Sequence, residues 1–248
     1  EPQQPAVAGP TRLSDFVQRI GAGPGYLIKG VLSRKSYAMV YGASGEGKTF
    51  VTLDMAYSVA AGVPWMGHKV KQAPVVVVGY EAFGGLPQRA AALRAKYGNG
   101  DVPLYFMPGR DNIREPAGAQ AFAQSLAEMP EPPGLIVMDT MAYALMGGDE
   151  NSAQDIGNFN TAIQNLIRAT GVTVLLVHHT GKDPSKGARG SSAIRAALDT
   201  EIEVGGRQIT ATKQRDVELG QAVTFRLAAV GVGMDEDGDV ITSCYVEQ

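Results

Sequence analysis

Gly42 to Thr49 reads GASGEGKT, two glycines bracketing four residues and followed by a lysine and a hydroxyl side chain, directly after the apolar run SYAMVY. These residue types at this spacing suit a chain of phosphates. The glycines let the backbone of Gly42, Ala43, Ser44, Gly45, Glu46 and Gly47 curl, so that its N–H groups face an anion at a helix N-terminus. Lys48 can then reach the outer phosphates and the Thr49 hydroxyl can ligate Mg²⁺. A strand in front and a helix behind are the context that separates such a loop from a chance match, so the expected ligands are ATP and Mg²⁺.

A second magnesium ligand is expected at the tip of another buried strand, and GLIVMD supplies Asp139. A glutamate directly after that aspartate would hold the attacking water, but the next residue is Thr140. The base must come from elsewhere. Glu81, which closes the run VVVVGYE, is the best candidate, expected at the mouth of the sheet beside the phosphate-loop strand.

These side chains need a scaffold, and the rest of the chain describes one. Val75 to Val78 and VTVLLVHH are unalternating apolar runs, the mark of parallel strands covered by helices on both faces. Helices are predicted from Lys48 to about Ala61, over GLPQRAAALRAKYG, and from Ala117 to about Ala127. Another follows Ser152 and Asp155, which read as a capping box ahead of the stripe Ile156, Phe159, Ile163, Leu166 and Ile167. LYFMP is a short strand. EIEV, RQITATK, AVTFRLAAV and DVITSCYVE, joined by Gly and Asp-Gly turns, predict antiparallel hairpins at the C-terminal end.

The 248 residues, 44% hydrophobic and 19% charged, predict one α/β domain over about 26–248. The segment 1–25, with EPQQPAVAGP and RLSDFVQRI, reads as a linker and a short amphipathic helix. Glu1 in place of a methionine predicts a trimmed fragment whose N-terminal partner domain lies outside this sequence. The net charge of −3 excludes a broadly basic nucleic-acid surface, so any such contact must be local. TGKDPSKGARGSS, with Lys182, Lys186 and Arg189 among small residues, suits phosphate contacts, although a solvated loop has the same composition. MGGDENSAQD is too acidic to be a good second contact. A single cysteine, Cys244, excludes an internal disulfide and reads as a small buried hydrophobe. No apolar run is long enough for a bilayer, so no membrane role is expected.

In order, YGASGEGKTF, VVVVGYEAFGGLPQR, GLIVMDT, VLLVHHTGK, ARGSS and TKQR resemble the motif set of hexameric replicative helicases of the RecA/DnaB type. They look most like the plasmid RepA helicases and the related AAA-family replication ATPases of phages and plasmids. The resemblance implies a RecA-like P-loop NTPase core with a mostly parallel sheet and sites at the interfaces of a homo-oligomer, a ring of six. It implies that His179 senses the γ-phosphate and passes its presence to a DNA-binding loop. Lys213 and Arg215, two residues apart in TKQR, would reach a neighbour's ATP; Arg189 is the rival for that role. Strand alternation would put Arg207, Ile209, Ala211, Lys213 and Arg215 on one face, while Asp216 or Glu218 could instead pair the cations locally.

The expected activity is ATP-driven translocation on single-stranded DNA and unwinding in phage or plasmid replication, in the bacterial cytoplasm. An N-terminal primase or other replication domain and further replication proteins are the expected partners. A RecA- or KaiC-like regulatory or recombination ATPase without unwinding activity is the alternative, and a small-molecule P-loop kinase a second.

Overall fold

The computed structural model describes residues 10–17, 25–81, 83–181, 187–215 and 220–248. A short helix, α1 (Leu13–Val17), precedes a two-stranded ribbon, β1 (Tyr26–Ile28) and β2 (Leu32–Ser33). Strand and helix then alternate: β3 (Tyr37–Gly42), α2 (Lys48–Ala61), β4 (Val75–Gly79), α3 (Leu86–Tyr97), β5 (Leu104–Pro108), α4 (Pro116–Ala127) and β6 (Leu135–Asp139). The short helix α5 (Met141–Ala144), the long α6 (Ala153–Thr170) and β7 (Thr173–His179) follow. The chain ends with α7 (Ser192–Ala197), β8 (Thr200–Gly205), β9 (Gln208–Gln214), β10 (Val223–Thr224), β11 (Arg226–Met234) and β12 (Val240–Glu247).

The central sheet has eight strands in the order β10-β9-β8-β3-β7-β6-β4-β5. Strands β8, β3, β7, β6, β4 and β5 run parallel, and β9 and β10 add antiparallel at one edge. The unalternating strands β3, β4, β6 and β7 lie together in the interior of the sheet with buried residues on both faces. Each buried valine there contributes about 1.5–3 kcal/mol. One core packs α2 and α3 against the sheet; the other packs α4, α5 and α6 against the opposite face.

The α/β class, the mostly parallel sheet and the C-terminal hairpins are as the sequence predicts, with three differences. EIEV does not only make a hairpin: β8 also joins β3 in parallel, from Ala38↔Thr200 to Tyr41↔Glu203. AVTFRLAAV is two strands, because the chain leaves the main sheet at Phe225 and β11 pairs with β12 as a separate ribbon. Ser152 caps α6 by accepting the Asp155 N–H at 3.2 Å, but the Asp155 carboxylate turns outward to Arg114 and the Asp149 N–H instead of closing the box. Cys244 is half-buried in β12. Of RLSDFVQRI, residues 18–20 lie outside the described residues.

Candidate functional site

Gly45 and Gly47 take φ values of 83° and 96°, in the left-handed region that other side chains resist, and this bends the loop into the start of α2. A Cβ on Gly42 would stand 2.0 Å from the Val204 carbonyl oxygen, so only glycine lets β8 pass. No side chain caps α2 at Gly47, which leaves its first N–H groups for an anion. Glu46 points away, accepting the Gly206 N–H at 2.8 Å and tying the loop to the β8–β9 turn. The Lys48 ammonium donates to the Ala43 carbonyl at 2.8 Å and lies 3.3 Å from His179 Nδ1. Burial lowers its pKa, against the pull of Asp139, Glu81 and Glu46.

Thr49 and Asp139 meet across the cleft, the hydroxyl donating to Oδ2 at 2.7 Å. Adjacent oxygens of an octahedral Mg²⁺ shell, with metal–oxygen distances of about 2.1 Å, stand about 2.9 Å apart. The pair therefore fits as two neighbouring ligands. Among the described residues no group of three or more His, Cys, Asp or Glu side chains could hold a metal by itself. Burial raises the Asp139 pKa; the Thr49 hydrogen bond and Arg89 oppose this.

Glu81 lies at the same cleft by another route than expected. Strand β4 is not beside β3, because β6 and β7 are inserted between them. What brings Glu81 in is the end of β6: the N–H groups of Tyr80 and Glu81 both donate to the Asp139 carbonyl, at 2.7 and 3.2 Å, and Thr140 Oγ1 donates to Glu81 Oε2 at 3.3 Å. Thr140, which stands where a glutamate was sought, thus hydrogen-bonds to the Glu81 carboxylate.

Arg89 also lines the cleft, and the sequence reading missed it. Its guanidinium lies 5.5 Å from the Phe50 ring centroid. The available signal was a cation near the start of α3, against the helix dipole, eight residues after Glu81.

The histidines divide as strand alternation requires. His179 lines the cleft, and burial with the nearby Lys48 charge lowers its pKa. His178 is 0% exposed and pairs through Nε2 with the Arg189 carbonyl at 2.9 Å. The Arg189 N–H in turn donates to the His179 carbonyl at 2.9 Å.

Ser44, Gly45, Gly47, Lys48, Glu81 and His179 are among the residues around one cavity of about 230 Å³. Lys213 and Arg215 are not. Lys213 pairs with Glu201 and Glu201 with Met39, three residues before Gly42, so it lies about 10 Å down and about 10 Å across from the loop. The alternation from Arg207 fails: Arg207, at φ 61°, belongs to the turn, and a bulge opposite Glu201 and Ile202 makes Thr212 an extra residue. Arg215 lies just past β9 and pairs with Asp199 at 2.8 Å; Asp216 and Glu218 are outside the described residues. Arg189 forms a two-pronged ion pair with Glu150. Lys182 and Lys186 also lie outside the described residues.

A family profile described as AAA domain matches residues 6–185 of the chain. No curated protein matches. Among solved structures, a KaiC-like protein, PH0186, of the hyperthermophilic archaeon Pyrococcus horikoshii OT3 is similar with a TM-score of 0.57 at 14% identity, over 88% of this chain and 93% of that one. The shared fold is RecA-like.

Proposed function

Because this chain belongs to the AAA domain family and is a P-loop ATPase domain of RecA-like fold, we propose that it is the motor core of a ring-forming, ATP-dependent helicase or translocase on single-stranded DNA in phage or plasmid replication. One observation carries this reading. The cleft brings Glu81 and the Thr49–Asp139 pair to the glycine loop, yet the Lys213 and Arg215 cations lie on another part of the sheet, out of reach of their own loop. Cations so placed suit a neighbour's cleft, which requires a head-to-tail homo-oligomer, and a ring of six is the form proposed.

In this reading the α2 N-terminus and Lys48 bind the phosphates, and Thr49 and Asp139 hold Mg²⁺, which neutralises phosphate charge when bound. Glu81, steadied by Thr140, holds a water in line with the γ-phosphate. His179, beside Lys48, registers the γ-phosphate and passes its presence through the Arg189 backbone to the loop proposed to contact DNA.

The test combines native mass measurement with steady-state ATPase assays, with and without single-stranded DNA. The expected result is a ring whose turnover rises with DNA. Arg215→Ala should keep nucleotide binding and lose the DNA-stimulated rate, by about 10³-fold or more for a trans-acting arginine. A monomer indifferent to DNA would sink the motor. A stable ring indifferent to DNA would favour the second reading, a RecA- or KaiC-like regulatory ATPase. The occupation of Arg189 by Glu150, which removes a cation from the proposed DNA loop, favours that reading.

A further inference from the structure

The segment between α5 and α6, too acidic to be a good DNA contact itself, has a defined partner. Met146 and Gly147 turn it at φ values of 40° and 83°. The Asp149 N–H donates to Asp155 at 2.9 Å, and Arg114 holds the other oxygen of Asp155 at 2.6 Å. Asp149 Oδ1 accepts the Asn151 N–H at 2.8 Å. Glu150, between the two, is thereby carried to the residues after β7. Its carbonyl accepts the Ser191 N–H at 2.8 Å, and a Cβ on Gly190 would stand 2.6 Å from that same oxygen, so a glycine there lets the two segments approach this closely.

Arg189 meets Glu150 from an equally fixed base. Its N–H donates to the His179 carbonyl and its own carbonyl pairs with His178 Nε2, both at 2.9 Å, while Thr180 and Ala188 form an antiparallel bridge. Nε and Nη2 of the guanidinium both donate to the Glu150 carboxylate, the second at 3.0 Å. This is the kind of fork that would otherwise grip two oxygens of a phosphate. One edge cannot hold both anions at once. The Glu150 side chain is 16% exposed and that of Arg189 45%, so the carboxylate is set by the fold while the arginine lies at the surface, where a strand could reach it. Arg189 is not among the residues around the cleft cavity, so the phosphate it is kept from is not that of its own nucleotide. The contact is made by described residues; Lys182, Asp183 and Lys186 lie outside them.

We infer that Glu150 is an autoinhibitory residue, whose carboxylate stands on Arg189 in the place of a backbone phosphate and withholds that cation from a single strand. This rests on the reading above in which the segment after β7 contacts single-stranded DNA.

The test uses the full chain and a fluorescein-labelled oligothymidylate, with anisotropy read over a salt series. Glu150→Gln, which removes the charge and keeps the shape, should tighten binding about 5-fold, the scale of a partly exposed ion pair. It should also steepen the slope of log affinity against log salt by about 0.7, one further phosphate on a single strand. The ATPase rate without DNA should match wild type. In an Arg189→Ala background the same change should gain nothing, whereas the mere loss of a negative charge near the strand would give its gain with or without Arg189. Unchanged affinity in Glu150→Gln, or a gain that survives in Arg189→Ala, overturns the assignment and leaves DNA binding standing. A faster DNA-free ATPase rate without tighter DNA binding gives the freed arginine to nucleotide and overturns it as well. If neither wild type nor Glu150→Gln binds the strand, the single-strand reading falls and this inference with it.

Discussion

Glu81, proposed to hold the attacking water, gives the sharpest prediction for a single residue. Its carboxylate is fixed by Thr140 across the ends of β4 and β6. Glu81→Gln should leave ATP binding near wild type and lower the hydrolysis rate about 10²- to 10⁴-fold, read by single-turnover assays beside a nucleotide-binding titration. His178 gives a prediction in pH. Burial pushes its pKa down, so the folded protein keeps the ring neutral while the unfolded chain takes a proton near pH 6.5. Below that pH the unfolded state binds more protons, and stability is lost as pH falls toward the folded pKa. The stability advantage of wild type over His178→Gln should therefore shrink between pH 7.5 and pH 5 in denaturant melts. The motif residues were legible because glycine, lysine and threonine at fixed offsets have few other uses. Arg89 was not, since a single charge near the start of a helix reads as a solvated face until its partner is known.

Among the elements, α2 and α3 must keep a fixed relation, because one begins at the phosphate loop and the other carries Arg89. Lys96 on α3 reaches the buried Asp54 on α2 at 2.6 Å, Tyr97 donates to the same carboxylate at 2.9 Å, and the Tyr57 and Tyr97 rings stack with centroids 4.3 Å apart. Lys96→Met should cost about 3 kcal/mol, because it leaves a buried carboxylate without its cation; thermal or urea unfolding would measure it. The main strands and helices were readable from unbroken apolar runs and periodicity. What the pattern did not contain was strand order. Nothing in VVVVGYE says that two strands separate it from the phosphate loop, and nothing in RQITATK announces the bulge at Thr212, because both depend on partners far along the chain.

For the whole molecule, the net charge of −3 confines the proposed DNA contact to a local basic segment. With Arg189 held by Glu150, Lys182 and Lys186 remain the cations of the proposed DNA loop, and the logarithm of affinity should fall against the logarithm of salt with a slope of about −1.4, at about 0.7 per phosphate on a single strand. Fluorescence anisotropy over a salt series would read it, and a slope near −6 would require a much broader basic surface. Among the described residues no helix is long and apolar enough to cross a membrane. The β8–β9 hairpin joins the scales. Its turn is tied to the chain's own phosphate loop through Glu46 and Gly206, and about 20 Å away, at some 3.4 Å per residue, its other end carries Lys213. In a closed ring each such hairpin would have one end at home and the other next door. The circle then has a sense of direction, so firing at one site would be felt by the next on one side before the other.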